Sequence, residues 1–142
     1  MHTQRKPIFR IWVKGHPHSF QRHNRKALKE YIELIRNAAS QVVPRPTKST
    51  RIDIEIWFRA ENSLRADVDN IIKPVLDGLK GVVYLDDRQV RSVKATALPS
   101  DDAFSVNEWT SEEVILRLTA HPPKEFLINI FHGIGLQGGP GV

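Results

Sequence analysis

Residues 51–90, RIDIEIWFRAENSLRADVDNIIKPVLDGLKGVVYLDDRQV, switch from a strand period to a helix period within one stretch of chain. Ile52, Ile54, Ile56 and Phe58 alternate with Asp53, Glu55, Trp57 and Arg59. A period of two predicts a strand with one face in a core. After a polar stretch, Ile72, Val75, Leu76 and Leu79 suit a short helix that Gly81 stops. Proline is tolerated in the first turn of a helix, where its missing N–H has no partner to lose. Pro74 therefore predicts a helix beginning near Ile71 or Ile72, after an extended DVDN turn. VVYLDD reads as a short extended segment entering a polar turn.

Upstream, IFRIWV at 8–13 is apolar, β-prone and bounded by Pro7 and Gly15, which predicts a first strand. From about Arg25 the period changes: Leu28, Tyr31, Ile32, Ile35, Ala39 and Val42 form an apolar stripe on a helix that must end before Pro44. RQVRSVKATAL and EEVILRLTA are two further strand candidates, with VILRL the stronger. The order β-α-β-α-β-β predicts a single α/β (α+β) domain, a mixed β-sheet with helices packed on it, over residues 1–120. Residues 121–142 read as a partly flexible C-terminal tail in which FLINIF is either a short strand or a partner contact.

The chain has 142 residues, no cysteine and a net charge of +5. A disulfide framework and any thiolate metal site are excluded. No apolar run is long enough to cross a membrane, and the N-terminus lacks the apolar stretch of a signal peptide, so a cytoplasmic protein is expected. The charge is lopsided: residues 1–51 hold 12 Lys/Arg against two acids, and residues 52–142 hold nine against 14. A basic arm beside an acidic half suits a polyanionic partner and a separate carboxylate site.

The densest carboxylates flank the second helix, Asp67 and Asp69 before it and Asp86 and Asp87 after it. In extended backbone, residues at i and i+2 point to one side, so Asp67 and Asp69 can address one point. A chain that turns back after about ten helical residues, roughly 15 Å, returns Asp86 or Asp87 toward them. Carboxylates that converge repel unless a cation neutralises them, and a hard divalent ion such as Mg²⁺ takes oxygen ligands. Lys73 supplies a cation where a phosphoryl transition state gathers negative charge. The plain alternative is that the DVDN residues cap a helix and LDD is an ordinary turn.

The stretch RADVDNIIKPVLDGLKGVVYLDDRQV resembles the signature of the RusA family of Holliday junction resolvases: D-x-D-N, a lysine three residues on, an apolar helix, then a hydrophobic–Asp–Asp turn. The resemblance implies a RusA-like fold, with metal-binding aspartates at Asp67, Asp69 and Asp87, Asp86 adjacent, and an assisting lysine at Lys73. It further implies a small homodimeric endodeoxyribonuclease, prophage- or bacterium-encoded. Such an enzyme cuts four-way junctions by paired incisions in recombination and repair, with Mg²⁺ (or Mn²⁺) and no small-molecule cofactor.

Arg22, His23, Arg25, Lys26 and Lys29 make a donor-rich strip at the start of the first helix. Such a strip holds phosphates without reading sequence, as a protein recognising a branched shape requires. Phe20 is the aromatic placed to wedge into an open junction, whereas Trp12, Trp57 and Trp109 read as packing residues. Two other functions fit the same strip: a non-catalytic DNA-binding module, and a related nuclease acting on other branched or single-stranded DNA.

Overall fold

The computed structural model describes residues 6–14, 25–59, 68–98, 117–118 and 125–133. Four strands, β1 (Phe9–Lys14), β2 (Ile52–Arg59), β3 (Val90–Leu98) and β4 (Glu125–His132), form one mixed sheet in the order β1-β4-β2-β3. β4 runs antiparallel to both neighbours, and β2 pairs in parallel with β3. The described residues also form two long helices, α1 (Arg25–Val42) and α2 (Val68–Leu79). A parallel pair needs a crossover, and α2 lies on the β2-to-β3 connection.

The alternation expected over 52–58 is present: Ile52, Ile54, Ile56 and Phe58 are buried, and Asp53, Glu55 and Trp57 are partly covered. This face joins Ile11, Val13, Phe126, Ile128 and Ile130 to Tyr31, Ile35 and Ala39 of α1 and Ile71, Val75 and Leu79 of α2 in one core. On the opposite face Leu127 packs with Leu118, Trp12 and Trp57, and Arg10 Nε donates to the buried Asn129 Oδ1 at 3.2 Å. The two helices touch at Gly78, where a Cβ would stand 2.7 Å from Ile35 Cγ2. Arg36 of α1 adds a bond from Nη2 to the Asp77 carbonyl at 2.7 Å. Beyond α1, Val43 rather than Val42 is buried, because the backbone continues one more helical hydrogen bond, from Val43 N to Ala39 O.

Four expectations need correction. The helix does not wait for Ile71: α2 begins at Val68 and holds Pro74 in its interior, so Asp69 sits in a first helical turn and not in extended backbone. Pro74 is buried beside Ile71, Val75 and Leu79, and the packing of that stripe offsets the hydrogen bond a proline removes. VVYLDD opens as a turn rather than an extended segment, since Val82 N and Val83 N both turn back to Leu79 O, and extended backbone appears at Asp86. The glycine stop does hold: Gly81 has φ 92°, the left-handed conformation that favours glycine.

The other two corrections concern the last strand. Arg117 and Leu118, at the end of the strand expected in EEVILRLTA, are helical, and its remaining residues lie outside the described ones. Of the two readings of FLINIF, the strand is the one observed, but it is β4, an interior strand of the sheet, so the sheet extends past the expected domain end at residue 120. All six residues of FLINIF are buried, so the run lacks alternation for a physical reason: both faces of the strand are covered.

Candidate active site

Helix α2 carries Lys73, Leu76 and Asp77, and Lys80 follows directly after its end with its N–H still donating to the Leu76 carbonyl at 3.0 Å, so the four residues keep the i, i+3, i+4 and i+7 spacing of one helical face. The chain then turns at Gly81 and comes back along that face, with Tyr84 bridging to Lys80 in the backbone. A single 3₁₀ turn, Asp87–Gln89, follows and leads into β3. Between α2 and this return lies a cavity of about 480 Å³, edged by Lys73, Asp77, Lys80 and Asp87 and floored by Ile72, Leu76 and Tyr84.

The charges at its edge are loosely held. Lys80 Nζ stands 3.1 Å from Asp87 Oδ1 and Lys73 Nζ 3.9 Å from Asp77 Oδ2. Lys73 is 83% exposed and Asp87 75%, so both pairs are screened by water and easily exchanged for other partners. Tyr84, buried behind them, donates its hydroxyl to the Leu76 carbonyl at 3.1 Å. Burial first, and the charges of Asp87 and Asp77 second, push its phenol up to about 12.

The two adjacent aspartates differ. Asp86 caps the 3₁₀ turn: its Oδ1 accepts from Arg88 N at 2.8 Å, and its Oδ2 accepts from Arg88 Nη2 at 2.8 Å. Those hydrogen bonds from Arg88 hold its carboxyl down at about 2. The Asp87 carboxylate faces the cavity and Lys80. Asp87 and Lys73, both expected from sequence, are thus brought to one cavity.

Asp67, Arg22 and His23 lie outside the described residues, and Asp69 is described for its backbone in α2 alone. Arg25, Lys26 and Lys29 are exposed on the first turns of α1. Among the described residues, no group of three or more His, Asp or Glu stands close enough to hold an ion together. Sequence reasoning missed Asp77, Lys80 and Tyr84, although the helical spacing of Lys73, Asp77 and Lys80 was legible as one face.

The family model for endodeoxyribonuclease RusA matches residues 2–107. The chain belongs to the RusA family. That assignment makes it an endodeoxyribonuclease by class and agrees with the mixed sheet carrying two helices. The span matched to RusA contains α2, the cavity and the 3₁₀ turn, and it ends before β4. No curated protein matches the chain. Among the described residues no helix is long and apolar enough to cross a membrane.

Proposed function

We propose that this RusA-family protein is a magnesium-dependent, structure-selective endonuclease that resolves four-way DNA junctions by paired symmetric cuts. The observation that carries the reading is Asp87, an exposed carboxylate at the edge of a cavity that two lysines also edge. Its donor chemistry fits a hard divalent ion: carboxylate oxygens, open solvent room for waters, and no thiolate anywhere in the chain. Asp67, Asp69 and Asp87 would hold Mg²⁺, with Mn²⁺ as a substitute, while Asp86 shapes the turn that carries Asp87. When bound, the ion supplies a concentrated positive charge against the scissile phosphate.

The chain's own residues do the rest. Lys73, exposed and only 3.9 Å-paired to Asp77, can place its ammonium on a phosphate oxygen as negative charge builds there. Lys80 neutralises Asp87 and is a second cation within reach of a phosphate. Arg25, Lys26 and Lys29, with Arg22 and His23, hold the flanking backbone through contacts that weaken with salt. A junction with two-fold symmetry calls for two sites related by the same axis, so the working species is a homodimer.

Cleavage of a labelled four-way junction, a flap and a linear duplex, each with Mg²⁺ and with EDTA, tests the reading. Symmetric nicking of the junction, abolished by EDTA and by Asp69→Asn with binding retained, is the expected result. Binding without cutting leaves a non-catalytic DNA-binding module, and equal cutting of all three substrates leaves a nuclease without junction selectivity.

A further inference from the structure

Gln89 lies beside Asp87 on the 3₁₀ turn, and its side-chain amide makes four hydrogen bonds. Its Oε1 accepts from Leu85 N and from Asp86 N, each at 2.9 Å. Its Nε2 donates to the carbonyls of Thr47 at 2.9 Å and Ser49 at 2.8 Å. A primary amide offers two acceptor and two donor positions, and all four are used. Gln89 N also donates to Asp86 O at 2.8 Å, closing the turn around Asp87.

These bonds join two pieces of chain that lie 40 residues or more apart. One is the turn that carries Asp87; the other is the segment entering β2, itself tied to the return by Thr47 N donating to Val83 O at 2.8 Å. An exposed carboxylate on a three-residue 3₁₀ turn has little of its own to fix its aim. The clamp supplies what the turn lacks, a rigid reference outside it.

We infer that Gln89 is a positioning residue, which sets the aim of Asp87 toward the metal by pinning its turn to the carbonyls of Thr47 and Ser49. The inference rests on the reading of Asp87 as a metal ligand and adds the group that acts through it. Gln89 touches neither DNA nor metal in this scheme. Loss of a group that orients a metal ligand typically weakens metal affinity by about 10–100-fold.

The experiment is a double-mutant cycle on Mn²⁺ affinity, read by electron paramagnetic resonance on the full chain without DNA. Gln89→Met keeps the length and removes all four bonds; Gln89→Glu keeps the two acceptor bonds and is the variant to use if the first does not fold. Either should weaken Mn²⁺ binding, by about 10–100-fold for Gln89→Met and by less for Gln89→Glu. In an Asp87→Asn background the same substitution should change nothing further, and junction binding in EDTA should stay at the wild-type level. Wild-type Mn²⁺ affinity in both Gln89 variants, or an equal loss with and without Asp87, overturns the positioning role alone. If Asp87→Asn itself leaves Mn²⁺ binding intact, the active-site reading has failed instead.

Discussion

Asp86 and Asp87 are chain neighbours whose carboxylates have opposite employment. The Asp86 carboxylate is consumed by Arg88, whose hydrogen bonds hold it down at about 2, against an ordinary 3.8. A depressed carboxyl adds stability that is present above the ordinary value and is lost as pH falls through about 2. Asp86→Asn should therefore spare cleavage, because an amide oxygen still caps the turn. Asp87→Asn should abolish cleavage with an unchanged thermal midpoint. Paired junction-cutting and melting assays check both, and a dead Asp86→Asn with active Asp87→Asn reverses the assignment. Tyr84 gives the opposite pH sign. Its phenol is pushed up to about 12, so the stability it adds is present below 10 and is lost as pH rises through 12. Tyr84→Phe should cost about 1 kcal/mol at neutral pH, the typical worth of one hydrogen bond. It should also flatten the loss measured by urea titration between pH 10 and 12. The sequence showed an Asp-Asp pair and a lysine at the right spacing. It could not show which aspartate was spent on its own turn, because that depends on where the Arg88 side chain folds back.

At the scale of the element, α2 is fixed as much by its contact with α1 as by its own period. A Cβ at Gly78 would meet Ile35 Cγ2 at 2.7 Å, Ile35 Cβ at 2.8 Å and Ile32 O at 3.0 Å. Overpacking costs about 1–3 kcal/mol, and alanine regains about 1 kcal/mol over glycine in a helix. Gly78→Ala should therefore lose on the order of 1 kcal/mol net in urea unfolding; a gain in stability would mean that the helices separate freely. Both helices were legible from apolar periodicity, which is local information. Their edges were not. Pro74 argued for a later start, and only the tertiary burial of Ile71, Val75 and Leu79 explains why α2 begins at Val68. That shift matters for the site, since it moves the Asp69 backbone from an expected extended segment into the first turn of a helix, four residues before Lys73.

For the whole molecule, the informative segment is the one that local patterning read as a tail. FLINIF lacks strand alternation because β4 is covered on both faces, and nothing in a sequence of that kind says which strands it will join. It lies between β1 and β2, so without it those strands have no partner between them and the sheet divides. The span matched to RusA, residues 2–107, holds the cavity but not this strand. Phe126, Leu127, Ile128, Ile130 and Phe131 are all at most 2% exposed. At about 1.5–3 kcal/mol for each buried side chain, their burial is comparable to the entire net stability of a domain, about 5–15 kcal/mol. A chain truncated after residue 120 should therefore fail to fold, losing its cooperative thermal transition and its junction binding together, even though it keeps every residue assigned to the active site. If that shorter chain melts cooperatively and still cuts, β4 is an accessory strand and the sheet closes by pairing β1 directly with β2.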